Sequence, residues 1–273
     1  MTRNGVVIFP NTSALPESVE LTAAGGAQRS ALIQQDGDYV FEFANGVKKE
    51  FKGVKIQNPQ PLDGTWRLAF PKDSGAPANL NLDSLQSWGV LADENIRHFS
   101  GTADYQKKFS LSEIKSRVLL DLGRVEVMAR VRVNGQDCGI LWKPPYSVDI
   151  TDAVKAGDNT LEISVVNLWV NRLISDDALP EDSERDKKGR LTSWPQWVLD
   201  GKASPTGRRS FVSCSLWKKD ESLKESGLLG PVRLRFPRAV KLESEASASK
   251  SASQSNAVPA RNSVGIAEVK QAD

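Results

Sequence analysis

Histidine is almost missing from this 273-residue chain, with His98 the single one. Any Ser-His-Asp or Cys-His nucleophilic site would have to be built on that residue. Cysteine is scarce as well. Cys138 and Cys214 together with His98 fall short of the four ligands of a structural zinc site. As a pair they allow at most one bridge, and in a chain of this length they assign no compartment. No G-x-x-x-x-G-K followed by Ser or Thr is present to cradle phosphates. No apolar run nears the ~20 residues that span a bilayer, which excludes a membrane helix. Net charge is missing too: 36 basic against 34 acidic side chains leave a formal +2. That balance gives no electrostatic reason to expect a nucleic-acid partner. The opening segment, MTRNGVVIFPNTSALPESVE, has too short an apolar core for a secretory signal.

What the chain does contain is alternation. Hydrophobic residues make up 39% and charged residues 26%, the composition of a globular protein of one or two domains. Val125, Val127, Ala129, Val131 and Val133 alternate with polar or larger neighbours, the period of a half-buried strand. Asn134-Gly135 follows at once and suits a tight hairpin turn. Tyr146, Val148 and Ile150 alternate again, and Gly157-Asp158-Asn159 turns the chain into Leu161, Ile163 and Val165. Short strands joined by turn chemistry predict an all-β fold, an antiparallel β-sandwich.

Upstream, residues 1–36 read as an irregular lead-in. Tyr39, Phe41 and Phe43, then Asn45-Gly46, then Phe51, Val54 and Ile56 predict a hairpin. Asn58-Pro59-Gln60-Pro61 reads as a stiff linker, and Trp66, Leu68 and Phe70 as the first strand of the sandwich. Leu82, Leu85 and Trp88 suggest one short helical stretch, with strands at 103–109 and 118–122. Residues 176–188 read as a long exposed loop, and 211–217 and 232–236 as closing strands. From Glu245 onward the Ala/Ser-rich sequence has no apolar period and reads as disordered. The expected division is 1–57, 58–240 and 241–273.

The residues carry a family likeness. VNG at 133–135, Gly139, PYSVDIT at 145–151 and KAGDNTLEI at 155–163 together resemble the sugar-binding β-sandwich of family 2 glycoside hydrolases. HFSGTADY (98–105), LDLGRV (120–125), GILWKPPY (139–146), NLWVNRLISDD (167–177) and SGLLGPVRL (226–234) resemble the C-terminal region of family 106 glycoside hydrolases, the α-L-rhamnosidase-like enzymes. The likeness implies a galactose-binding-like jelly roll. It also implies a non-catalytic module that binds a rhamnose-containing glycan or buttresses a catalytic barrel. In that family the catalytic acid and base sit on a preceding barrel too large for this chain. The alternative is α-L-rhamnosidase activity as part of a longer or split polypeptide. Such relatives are usually exported, so the lack of a signal implies a truncated frame or a piece of a longer polypeptide.

A sugar site needs flat aromatic surface and planar polar groups for vicinal hydroxyls. The candidates are Trp142 and Trp169, at ends of predicted strands, and Trp194 and Trp197, beyond the long loop. Core or interface packing explains most tryptophans equally well. If strand alternation runs on past Val165, Trp169, Asn171 and Leu173 share one face and Arg172 faces the other way. Arg172 with Asp176 or Asp177 would then form a bidentate pair shaping the loop. Ser175 stands where relatives usually carry glycine. Arg208-Arg209 offers a basic pair for an acidic sugar or an adjoining domain. No catalytic pair emerges: Asp176, Asp177, Glu181, Asp182 and Glu184 share one hydrophilic loop, a poor place to fix a carboxyl separation. Structural calcium is the one conceivable cofactor, on Asp63, Asp149, Asp152 or Asp158, though no spacing singles them out.

Overall fold

A computed structural model describes residues 2–4, 6–7, 19–23, 29–43, 45–72 and 74–242. The chain forms two compact units, residues 1–55 with 239–273 and residues 56–238. The first begins with strands Thr2–Arg3 (β1), Val6–Val7 (β2), Val19–Ala23 (β3), Arg29–Ile33 (β4), Gly37–Glu42 (β5) and Lys48–Val54 (β6). Strands β5 and β6 are the expected hairpin, Tyr39 opposite Phe51, with Gly46 at positive φ in the turn. The expected irregular lead-in needs correcting. Strands β3 and β4 pair from Val19 opposite Ile33 to Ala23 opposite Arg29. Ala31, Leu32 and Ile33 are buried in succession, so the strand shows no alternation to read.

The second unit contains Gln57–Pro61 (β7), Trp66–Ala69 (β8), Asn79–Leu82 (β9), Thr102–Leu111 (β10), Leu119–Asp121 (β11), Arg124–Glu126 (β12), Met128–Val133 (β13), Gln136–Leu141 (β14), Ser147–Asp149 (β15), Gly157–Val166 (β16), Gly227–Gly230 (β17) and Arg233–Phe236 (β18). Three short helices interrupt them, Glu94–Arg97 (α1), Val170–Asp176 (α2) and Gln196–Leu199 (α3). Arg238–Lys241 (β19) then joins β4 and β3 in a three-stranded sheet. Lys241 and the buried Leu242 are therefore ordered, against the expected tail. The remainder of that tail, 243–273, lies outside the described residues. No helix among those described is long and apolar enough to cross a membrane.

Two antiparallel sheets enclose the core of this unit, one of order β14-β13-β16-β10-β8-β9 and one of order β15-β11-β18-β7. A single row shows why the alternation was legible. Leu68, Tyr105, Ile163 and Val131 lie opposite one another across four strands, and all four are fully buried. From the facing sheet, Leu120 and Leu234 complete the same cluster. Each such side chain contributes about 1.5–3 kcal/mol when taken out of water.

Asn134 and Gly135 both adopt positive φ, 52° and 82°, as a two-residue hairpin turn with the right twist requires. The Asn134 amide donates to the Ala153 carbonyl and to Asn159 Oδ1, and its own Oδ1 accepts from Thr160 N, at 2.8, 2.8 and 2.9 Å. The VNG and KAGDN motifs are thus one hydrogen-bonded corner. Three other expectations change. Asn58 to Pro61 is an edge strand rather than a linker, with Gln60 opposite Leu234; proline is tolerated there because an edge needs no donor on its open side. Leu82 ends a strand, and only Trp88–Val90 is helical, a single 3-10 turn. Residues 211–217 form no strand beyond one bridge, Arg190 with Cys214.

At the centre, Tyr105 OH accepts from Trp88 Nε1 at 2.6 Å and from Leu228 N at 3.0 Å. Burial pushes this phenol far above its ordinary range, outweighing both hydrogen bonds, so it stays neutral. Gly227 is glycine for a steric reason as well: a Cβ there would lie 2.5 Å from Trp88 Nε1 and 2.7 Å from Tyr105 OH. Tyr105→Phe leaves two core donors without an acceptor, and we expect it to lower stability by about 2–4 kcal/mol in urea unfolding at an unchanged m-value. A loss below about 0.5 kcal/mol would show that the hydroxyl is not the acceptor both donors depend on.

Candidate functional site

The site begins where β16 ends. Asn167 closes the strand: its amide donates to Phe99 O at 2.8 Å and its Oδ1 accepts from Gly101 N at 3.0 Å. The chain then turns into α2 instead of continuing extended. Trp169 already has helical angles, and its carbonyl accepts from Leu173 N at 3.0 Å. The face-sharing expected for Trp169, Asn171 and Leu173 is therefore corrected. Val170, Leu173 and Ile174 also have helical spacing, and in seven residues the two periods are hard to tell apart. Ile174 is the apolar anchor, buried at 3%.

Helix α2 sorts its polar residues by side. Asn171 is 2% exposed; its amide donates to Lys224 O and its Oδ1 accepts from Lys224 N, both at 2.8 Å. Asp176 is equally buried. Its Oδ2 accepts from Arg209 N (3.0 Å), Ser210 N (2.8 Å) and Ser210 Oγ (2.6 Å). Asp177 takes Lys219 N at 3.0 Å and Lys218 Nζ at 3.3 Å. Asn171 is thus held inside the domain, its amide nitrogen and oxygen each bonded to the Lys224 backbone.

Residues 177–225 form a lobe in which no residue is fully buried. Side chains bonded to backbone hold it. Arg208 donates to the carbonyls of Pro180 and Leu179 at 2.9 and 2.8 Å, and Arg185 to those of Gly189 and Val212 at 3.1 and 2.7 Å. Trp194 and Trp197 both pack on Phe211, with centroids 5.7 and 5.6 Å away. Trp197 Nε1 also donates to Asp182 O at 3.1 Å. Arg208 and Trp197 therefore shape the lobe. The segment read as a long exposed loop is exposed, but it is pinned at many points.

Two clefts flank α2, and Arg172 lines both. The larger, about 490 Å³, also takes in Glu94, His98, Asp176 and Lys219. The smaller, about 260 Å³, is lined by Lys72, Ser74, Ser100, Trp169 and Arg209 among others. Trp169 is 59% exposed, whereas the Arg172 side chain is only 12% exposed. Arg172 and Asp176 approach to 3.9 Å, so the expected bidentate pair is a single long contact. Burial lowers the Arg172 pKa; Asp176 opposes this and the nearby Arg209 adds to it.

Residues 91–194 match the model of the family described as glycosyl hydrolase 2 galactose-binding domain-like. The sandwich is a galactose-binding-like domain. The expected kinship with the family 2 sugar-binding sandwich rests on this match. Over 182 residues the chain is 45% identical to the "Putative beta-glucuronidase" of Formosa agariphila, a stretch covering 64% of this chain and 16% of that protein. A rhamnosidase from Novosphingobium sp. PP1Y is similar in structure, with a TM-score of 0.50 at 29% identity, covering 79% of this chain and 23% of the rhamnosidase. The chain thus spans less than a quarter of either relative's length.

In this galactose-binding-like domain, Trp142 lies outside both clefts, exposed, with Lys143 Nζ 5.2 Å over its ring. Cys138 and Cys214 are both free thiols. No group of three or more His, Cys, Asp or Glu among the described residues could hold a metal ion. Asp149 instead pairs with Arg117 at 2.7 Å. The cleft residues that pattern reading missed include Lys72, Ser74 and Ser100. The Arg208-Arg209 pair was noticed, but adjacency in sequence does not reveal which of the two reaches a cleft. Asp176→Ala removes the acceptor of three donors and the nearest anion to Arg172, a loss of about 3 kcal/mol. We expect tryptic cleavage within 177–225 to rise at least about tenfold while the sandwich stays folded; unchanged resistance would mean the lobe is held without it.

Proposed function

We propose that this chain is the non-catalytic carbohydrate-binding module of an α-L-rhamnosidase-like glycoside hydrolase, its sugar seated on Trp169 in the smaller cleft. The exposed Trp169 ring beside hydrogen-bond donors carries this reading. An indole face takes the apolar side of a pyranose, and planar or hydroxylic donors fix its hydroxyls. The cleft lies at the small end of ligand pockets, which run ~300–1,000 Å³, so it suits one ring rather than a long chain. The match to a glycoside hydrolase galactose-binding domain and the likeness to a rhamnosidase support the same class.

Glycoside hydrolysis needs two carboxyls ~5 Å apart, or ~6.5–9.5 Å apart for inversion. The smaller cleft has no Asp or Glu among its described lining residues. In the larger one, Asp176 is committed to the lobe, and the exposed Glu94 pairs with Arg97 at 3.3 Å. Chemistry therefore belongs to another domain. A buttress for a catalytic barrel is the second reading, favoured by Trp194, Leu199 and Leu216 standing exposed on the lobe.

Calorimetric titration with L-rhamnose and rhamnose-containing oligosaccharides separates the two. Saturable heat that weakens about tenfold or more in a folded Trp169→Ala variant is the expected result. No heat at millimolar ligand from the folded chain would refute carbohydrate binding and leave the buttress.

A further inference from the structure

Arg172 is weakly engaged for so enclosed an arginine, its one ion pair among the described residues being the long contact to Asp176. Its side chain is almost wholly buried, yet it makes no hydrogen bond to any described residue. Its ion-pair partner, Asp176 Oδ1, is 3.9 Å away, beyond hydrogen-bond reach. The other oxygen of that carboxylate is occupied by three donors from the 209–210 backbone and Ser210. A guanidinium presents five N–H donors in a planar fork, and those of Arg172 are not sealed from solvent, so a ligand can reach them. The Arg172 side chain lines both clefts beside α2.

Charge decides between the clefts. The larger one sets Glu94 and Asp176 against Arg172 and Lys219, so its cations are already matched by carboxylates. The smaller one brings Lys72 and Arg209 beside Arg172, with no Asp or Glu among its described lining residues. Arg209 is held at the rim by a hydrogen bond from its guanidinium to the Ser74 carbonyl. It lies close enough to Arg172 to disfavour the second positive charge. An anion seated between the two relieves that repulsion and satisfies the Arg172 fork at once, the geometry in which guanidinium binds oxyanions best.

We infer that the Trp169 cleft selects pyranoses bearing an oxyanion, a uronate carboxylate or a sulfate ester, and that Arg172 is the group that reads it. This rests on the carbohydrate-binding reading above, and adds to it the chemical class of the sugar.

The test is calorimetric titration of the full chain at pH 7 with D-glucose, D-glucuronate and D-glucose 6-sulfate, for the wild type and for Arg172→Gln and Arg172→Lys. The expected result is binding of one or both anionic sugars at least about tenfold tighter than glucose. Glucuronate alone would identify a carboxylate reader, and both together a general oxyanion reader. Arg172→Gln should reduce the preference to under about twofold, and Arg172→Lys should keep part of it. Equal affinity for all three sugars in the wild type would overturn this inference and leave the sugar site standing; no binding of any of them would also overturn it, while the rhamnose titration decides the carbohydrate-binding reading separately. Should Arg172→Gln fail to fold, the wild type in rising salt still decides. Anionic-sugar affinity should fall several-fold while glucose affinity holds, and salt-insensitive binding of the anions would count against the inference.

Discussion

The fold of the second unit depends on how the chain comes back. After Asp176 it leaves the sandwich for about fifty residues and must return in register, without a strand partner until Gly227. Side chains already fixed in the core capture the returning backbone. Asn171 takes both the N–H and the carbonyl of Lys224, Ser87 Oγ accepts from Ser226 N, Ser226 O accepts from Trp88 N, and Tyr105 OH accepts from Leu228 N. Gly227 lets the backbone press against the Trp88 and Tyr105 side chains. With the return fixed, β17 and β18 follow and β18 takes its place between β11 and β7. A long excursion costs little in loop entropy; what it needs is an unambiguous landing, and buried amide and hydroxyl groups supply directionality that apolar contacts lack.

The motifs that made the chain recognisable are mostly of this kind. Asn134 and Asn159 knit one corner, Tyr146 OH donates to Val127 O at 2.8 Å, and the Thr151 hydroxyl accepts from Val118 N at 2.9 Å. None of these residues lines either cleft beside α2. Two other recognisable segments do reach the clefts: Ser100 and Gly101 from 98–105, and Trp169 and Arg172 from 167–177, line the smaller one.

The sandwich was legible because each central strand buries one face only, and alternation records that directly. Legibility failed where burial is two-sided, as at Ala31–Leu32–Ile33, or where an edge strand is rich in proline, as at Asn58 to Pro61. It failed again at α2, where two turns of helix follow a strand and the apolar spacing fits either period. At the site, Trp169, Arg172 and Asp176 were found from residue type and position, though the structure gives them separate tasks: an exposed ring, an unengaged guanidinium and a buried staple. Lys72, Ser74 and Ser100 were not legible at all. They reach the cleft through long-range folding, and nothing local in the sequence distinguishes them from loop residues.

The lobe between Asp177 and Glu225 has a thermal consequence. It contains no fully buried residue, so opening it exposes little new apolar surface, and the heat-capacity change of that opening is correspondingly small. The sandwich, with its dense apolar core, has a strongly curved stability profile that weakens on cooling. The two parts of one domain therefore follow differently shaped temperature curves. The lobe wall that carries Arg209 belongs to the flatter one, so the cleft changes less with temperature than the core on which it stands.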